Sequence, residues 1–116
     1  MLTIRRDQLE VFQAELDERF ARVVDAHMRE EWPEECQALG DEALHDRSLR
    51  CIREARELGL RQDRSILRLS SLRFRYGESF PDPVADPEFH FTLRDCSRTE
   101  PHRFEAVDVL IDILRS

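Results

Sequence analysis

The hydrophobic positions of the chain recur at steps of three and four residues, the spacing of amphipathic α-helices. In the first segment they are Leu9, Phe12, Leu16, Phe20, Val23, Val24, His27 and Met28. This stripe predicts one long helix over residues 3–31, with Thr3 in the N-cap position. The helix ends at Trp32, because a residue that precedes proline is displaced from the α region. Pro33 can then begin a short helix that reaches Leu39.

Glycines and aspartates delimit two further long helices. Asp41, after Gly40, is predicted to cap a helix that ends before Gly59, and Asp63 to cap one that ends before Gly77. The two form a predicted helical hairpin. Their apolar positions are Leu44, Ser48, Cys51, Ile52, Ala55 and Leu58 in the first, and Ile66, Leu67, Leu69, Ser70, Phe74 and Tyr76 in the second.

Prolines organise the last third of the chain. Residues 80–87 contain three prolines and are predicted to form a non-helical crossing loop. Asp86 and Pro87 have the N-cap and first-position pairing that begins a short helix through Arg94. After Pro101 a final helix presents Phe104, Val107, Leu110, Ile111 and Leu114 on one face.

These elements predict an all-α fold, a compact bundle of four main helices plus one or two short helices. At 116 residues the chain is expected to be a single domain over 1–116. A charged fraction of 37% with only three glycines also argues against turn-rich β architecture. The expected core includes Phe20, Val24, Ile52, Ile66, Phe74 and Ile111.

Net charge and cysteine content restrict the partners and the compartment. A formal charge of −7 opposes binding to nucleic acid or to an anionic membrane. The N-terminal residues lack the apolar core of a secretory signal, so no export by that route is expected. Three widely spaced cysteines fit reduced thiols better than a disulfide framework, which favours a cytoplasmic location.

No residue pattern indicates a metal, a cofactor or a catalytic centre. The histidines His27, His45, His90 and His102 do not have zinc-site spacing relative to the cysteines, so no metal is expected. Cys51 lies on an apolar helix face, where a thiol is usually inert filling, which argues against a nucleophilic pair with His27. Asp82 and Asp86 lack the alternating ligands of a calcium loop and are interpreted as a turn former and a helix cap.

A second set of acidic residues surrounds Trp32 and Pro33. Its members are Glu30, Glu31, Glu34 and Glu35. The chain is too short to provide the cleft that a pair of glycosidase carboxylates would need. The cluster is therefore interpreted as a solvated helix end.

Charge is strongly segregated along the chain. Residues 1–46 carry five arginines against 13 acidic residues, whereas residues 47–75 carry nine against three, a net charge of +6. Aliphatic residues set among arginines are a common composition of protein interfaces. The predicted partner-binding residues are Leu49, Arg53, Arg56, Arg64, Arg68, Leu72, Arg75 and Trp32. Alternatively, the arginines pair internally with Glu15, Glu18 and Asp25.

Three stretches of the sequence carry a family resemblance. Leu-Thr-Ile-Arg-Arg at 2–6, the run from Trp-Pro-Glu-Glu-Cys to Ala-Leu at 32–44, and Gly-x-x-Phe-x-Asp-Pro at 77–83 resemble a family of small helical proteins from Gram-negative bacteria. Genes of that family are often found beside type VI secretion spike and effector genes. The resemblance implies a non-enzymatic cytoplasmic adaptor or chaperone that binds an effector or a spike component.

Two alternatives remain open. The protein could be an immunity protein that neutralises a cognate effector toxin, or, in a different class, a small enzyme with a Cys or Glu site. Its oligomeric state is not indicated by the sequence.

Overall fold

The computed structural model describes residues 6–114, with side chains from Gln8 onward, and these residues form six α-helices and no strand. The helices are α1 (Arg6–Glu31), α2 (Pro33–Leu39), α3 (Asp41–Glu57), α4 (Asp63–Tyr76), α5 (Pro87–Arg94) and α6 (Glu100–Leu114). For this part of the chain the prediction of an all-α fold with four main helices plus one or two short helices is confirmed. The predicted start and cap at Thr3 lie outside the described residues.

Proline and glycine end or begin the helices as predicted. Pro33 is the first residue of α2, directly after Trp32. Gly59 follows α3 with a φ of 79°, a left-handed conformation that side chains disfavour. The next N–H, that of Leu60, then donates to the carbonyl of Ala55 over 2.9 Å. Gly77 ends α4 with a φ of 120°.

The prediction that Asp41 caps α3 is wrong. Asp41 is the first helical residue of α3, and the carbonyl of Gly40 accepts the first hydrogen bond, from the N–H of Leu44 over 3.0 Å. The Asp41 carboxylate instead accepts a hydrogen bond from Arg29 at 3.0 Å. Gly40 therefore occupies the position before the first helical residue, and the Asp41 side chain lies on the surface.

The predicted cap at Asp63 is wrong for a similar reason. The N-cap of α4 is Gln62, whose side chain makes no capping bond. Glu100 of α6 binds at the start of α4 instead. Its Oε1 accepts hydrogen bonds from the backbone N–H groups of Arg61 and Gln62, each over 3.0 Å. Burial raises the pKa of Glu100, but hydrogen bonds from Gln62, Ser65 and Arg61 outweigh it and lower the pKa. A carboxylate distant in sequence has therefore replaced the expected local cap.

The chain divides into two compact units, one that ends at Ile52 and one that begins at Arg53, so the boundary falls within α3. The single-domain prediction stays a prediction. In the first unit α1 packs against α2. Its buried apolar residues are Ala21, Val24, Met28, Cys36, Leu44, Cys51 and Ile52.

The expected core position Val24 of α1 is confirmed, whereas Phe20 is only half-buried. Met28, in the same apolar pattern, is buried, but Leu9, Phe12 and Leu16 are exposed. The exposed or half-exposed positions form a row that we call the α1 stripe, and they are Leu9, Phe12, Leu16, Phe20 and Val23. Periodicity predicts that such a face exists, but does not indicate whether anything covers it.

In the second unit α4 and α5 both pack against α6. Its buried apolar residues are Ala55, Leu58, Leu60, Ile66, Leu69, Leu72, Phe80, Phe89, Leu93, Phe104 and Val107. The predicted core position Ile66 is confirmed, whereas Phe74 and Ile111 are only half-buried and Leu114 is exposed.

The loop between α4 and α5 is non-helical, as predicted, and is anchored by Phe80. The Phe80 ring is buried, and its centroid lies 5.3 Å from the centroid of the Tyr76 ring and 5.2 Å from that of the Phe89 ring. The Asp82 carboxylate accepts hydrogen bonds from the backbone N–H groups of Val84 and Ala85, over 2.7 and 2.9 Å. These two bonds lower the pKa of Asp82. The interpretation of Asp82 as a turn former is confirmed.

Candidate protein-binding surfaces

The predicted partner-binding residues differ in their exposure. Arg53, Arg56, Arg64, Arg68 and Arg75 are exposed. Leu49, the proposed apolar centre, is half-buried in the first unit, and Trp32 is half-buried at the N-cap of α2. Leu72 is only 8% exposed, because it lies on the buried side of α4. Its side chain is a core residue of the second unit rather than part of a surface.

Some arginines of the basic segment already have partners within the second unit. Arg68 donates a hydrogen bond to Asp108 of α6, and its guanidinium lies 5.6 Å from the centre of the Phe104 ring. Arg75 lies over the Tyr76 ring at 5.3 Å. Internal pairing therefore accounts for part of the positive charge, although Arg68 pairs with Asp108 of α6 rather than with an acidic residue of α1.

A groove between α5 and α6 forms a concave surface in the second unit, with a volume of about 630 Å³. Most of its lining surface is apolar, and two of its apolar side chains are strongly exposed. Phe91 is 74% exposed and Val109 is 55% exposed. Leu110 and Ala106 complete the apolar part. We call this feature the α5–α6 groove.

Helix periodicity explains why the α5–α6 groove is apolar. In α5 the buried residues are Phe89 and Leu93, so Phe91, midway between them, projects away from the core. In α6, Phe104 and Val107 face the core. The groove receives a second stripe with helical spacing, formed by His102, Glu105, Ala106, Val109 and Leu110. A helix with apolar residues on two faces can use one for the core and one for a partner.

The rim of the α5–α6 groove is polar and charged. Asp95 accepts hydrogen bonds from the hydroxyl of Ser97 at 2.5 Å and from its N–H at 3.1 Å, which lower the pKa of Asp95. Arg98 lies 3.6 Å from the other carboxylate oxygen of Asp95. His102 also lines the groove. An apolar floor with a charged rim is the usual arrangement of a protein-binding site.

A polar cluster in the first unit connects α1 with α3. His45 lies between two carboxylates, with its Nδ1 2.7 Å from Asp25 and its Nε2 2.5 Å from Glu18. Ser48 donates to the other oxygen of Asp25 over 2.5 Å. The hydrogen bond to Asp25 raises the pKa of His45, burial opposes this, and the bond to Glu18 adds to it. We call these four residues the His45 cluster.

The His45 cluster does not have the order of a catalytic triad. In a triad the histidine lies between the nucleophile and the carboxylate. Here Asp25 lies between Ser48 and His45, and both ring nitrogens of His45 face carboxylates. The arrangement is suited to holding a charged imidazolium and not to removing a proton from Ser48. This cluster was not predicted from the sequence, because its members are up to 30 residues apart.

The cysteine thiols are not part of the His45 cluster. Cys51 is buried, as expected of an inert core thiol; Cys36 is also buried, and Cys96 is exposed. Burial raises the pKa of the Cys36 thiol, which reduces its nucleophilic fraction at neutral pH. His27 is exposed on α1.

A second concave surface in the second unit contains His90 together with Glu54, Glu57 and Arg94, and has a volume of about 410 Å³. No thiol lines it. Among the described residues no group of three or more His, Cys, Asp or Glu side chains is arranged to hold a metal ion. Within the same range no helix combines the length and apolarity needed to cross a bilayer.

Comparison with known proteins gives no relative from which to argue. No protein-family model matches the chain, and no curated protein or solved structure matches it. The α5–α6 groove was not among the predicted binding surfaces, although the spacing of His102, Ala106 and Val109 in the sequence is a signal for a second helix face.

Proposed function

We propose that this protein acts by binding another protein, and that the α5–α6 groove is the surface that binds it. The observation that carries the proposal is the pair of exposed apolar side chains in the groove, Phe91 and Val109. An exposed aromatic ring beside an aliphatic wall supplies the apolar area from which binding free energy chiefly derives. Aromatic anchors in such pockets are frequent binding hot spots.

The exposed arginines support an acidic character for the partner. Arg53, Arg56 and Arg64 are exposed in the same unit as the groove. Positive charge on the unit that carries the apolar anchor would accelerate encounter with a negatively charged surface. The predicted surface around Leu49 is less well supported, because Leu49 is half-buried and Leu72, a second aliphatic residue of that surface, is in the core.

Binding, rather than catalysis, is also favoured by the polar clusters. The His45 cluster has an order that does not activate Ser48, and the thiols Cys36 and Cys51 are buried. These arrangements support a non-enzymatic role. They leave the α5–α6 groove as the site with the clearest binding chemistry.

The partner that we propose is a type VI secretion effector or spike component in the bacterial cytoplasm. The support for this identity is the resemblance of residues 2–6, 32–44 and 77–83 to a family encoded beside such genes. An adaptor or chaperone would bind its effector without blocking the active site. An immunity protein would bind the toxin and abolish its activity.

The test is affinity purification of the full chain from its native host. The wild type, Phe91→Asp and Val84→Asp would be compared, because Val84 is an exposed apolar residue outside the groove, at 87% exposure. We expect the wild type and Val84→Asp to retain an effector or spike component that Phe91→Asp does not retain. Retention of the same proteins by all three, or of none from a secretion apparatus, would contradict the proposal.

A toxicity assay then separates the two roles. The retained effector would be expressed with and without this protein. Unchanged toxicity with improved delivery indicates an adaptor, whereas loss of toxicity indicates an immunity protein.

A further inference from the structure

The α1 stripe is a continuous exposed apolar row in the first unit. Leu9, Phe12, Leu16 and Val23 are between 41% and 58% exposed, and Phe20 is half-buried. At 100° per residue these positions fall within a sector of about 80°. Single exposed hydrophobic side chains are normal on a protein surface, but a contiguous row is characteristic of an interaction surface.

The stripe is symmetric about Leu16. Leu9 and Val23 lie seven positions to either side of it, and Phe12 and Phe20 lie four positions to either side. A second α1 laid antiparallel, with Leu16 against Leu16, therefore brings Leu9 against Val23 and Phe12 against Phe20. Such self-complementarity is the requirement for a two-fold interface between identical chains.

The charges of α1 favour the same antiparallel direction. With Leu16 at the centre, residues 8–13 of one copy face residues 19–24 of the second. The first segment has one charged residue, Glu10, and the second has Arg19 and Arg22, and all three are exposed. An antiparallel pair therefore sets opposite charges against each other, whereas a parallel pair would set like charges together.

One flanking pair reinforces this complementarity. Glu15 and Arg19 are both exposed, and they flank the stripe on the same side. In an antiparallel pair of helices the same side of each copy faces the other. Glu15 of one copy then lies within one helical turn of Arg19 of the second copy, and the pair occurs twice by symmetry.

We infer that the α1 stripe is a self-association surface whose occupant is a second copy of this chain, bound antiparallel about Leu16. This inference is independent of the proposed function, because the α5–α6 groove belongs to the other unit. Aromatic and aliphatic pairs at the centre and charge pairs at the edge are the usual composition of a helix–helix interface.

The test is sedimentation velocity of the full chain over a range of concentrations. We expect a concentration-dependent dimer. Leu16→Glu should raise the dimer dissociation constant more than about tenfold, because two like charges would meet at the two-fold axis. Val84→Glu, which changes an exposed apolar residue outside α1, should leave the dissociation constant unchanged.

Charge exchange tests the interface without altering its apolar centre. Glu15→Arg alone and Arg19→Glu alone should each weaken the dimer, and the double variant Glu15→Arg with Arg19→Glu should restore it. Both residues are exposed, so this cycle decides the question even if Leu16→Glu fails to fold.

Disulfide trapping tests the direction of pairing. On a Cys96→Ser background, a mixture of Leu9→Cys and Val23→Cys chains should form mixed disulfide dimers. Trapping of Leu9→Cys with itself in preference would indicate parallel helices and overturn the inference. A wild type that is monomeric at all concentrations, a dimer insensitive to Leu16→Glu, or a double variant that fails to restore association would also overturn it.

Discussion

The guanidinium of Arg73 is held inside the second unit by Phe80, whose carbonyl oxygen accepts a hydrogen bond from Arg73 Nε over 2.7 Å. Arg73 Nη2 also donates to Glu54 over 3.0 Å. Arg73 is only 3% exposed, so its charge is not available to a partner. It instead fixes the loop that follows α4, since it binds the backbone at the buried Phe80.

Removal of this guanidinium should destabilise the protein. Arg73→Met keeps the aliphatic stem but removes the hydrogen bonds to the Phe80 carbonyl and to Glu54. We expect a loss of about 2–4 kcal/mol in the free energy of unfolding, measured by urea denaturation. Arg64→Met, at an exposed position of the same helix, is the control and should change stability by less than about 0.5 kcal/mol. Equal effects would show that the Arg73 contacts are not stabilising.

The His45 cluster should make stability depend on pH. Because the pKa of His45 is raised above its ordinary value of 6.5, the stabilisation is complete below that pH and is lost as the pH rises through the raised value. Wild type should exceed His45→Gln in the free energy of unfolding by about 1–3 kcal/mol at pH 5.5. The difference should shrink by pH 9. A difference that stays constant or grows with pH would contradict the assignment of a charged imidazolium.

Burial ranks the core substitutions of α4. Leu69 is fully buried, and Leu69→Ala should cost about 2–5 kcal/mol in the free energy of unfolding. Phe74 is half-buried, so Phe74→Ala should cost about 1–2 kcal/mol rather than the larger loss of a fully buried ring. Denaturation midpoints of the two variants measure this order. A larger loss for Phe74→Ala than for Leu69→Ala would contradict the assignment of Leu69 to the buried face of α4 and of Phe74 to its edge.

The helix limits could be predicted because they depend on local chemistry. Pro33 and Pro87 begin helices, and Gly59 and Gly77 provide the positive φ at which helices end. Such effects act over a few residues and are visible in the sequence. The caps at Asp41 and Asp63 were not predictable from local preference, because backbone and tertiary groups took their place.

The surfaces could be predicted only in part, because they depend on which faces become covered. Leu16 and Val24 belong to the same sequence pattern, yet one is exposed and the other is buried. Arg73 counts toward the positive charge of its segment but is internal. The α5–α6 groove requires Phe91 and Val109 from separate helices, and their juxtaposition is a tertiary property that neither segment reveals alone.

The remaining exposed arginines should act on association kinetics. Arg53→Glu combined with Arg64→Glu should slow the association of the retained partner and reduce its dependence on salt, because long-range attraction is lost. Dissociation should change little. Stopped-flow kinetics at two ionic strengths measure both rates. An unchanged association rate would show that Arg53 and Arg64 do not steer the encounter. The association rate of Arg94→Glu provides a comparison at another exposed arginine.

The most direct test of the account is the dissociation constant of the retained partner for the wild type, Phe91→Asp and Val84→Asp. A charge in the apolar α5–α6 groove should raise the constant at least about tenfold, which corresponds to about 1.4 kcal/mol. Val84→Asp should leave it within about twofold of the wild type. If Phe91→Asp binds as tightly as Val84→Asp and remains folded, the groove is not the binding surface and the proposed function loses its structural basis.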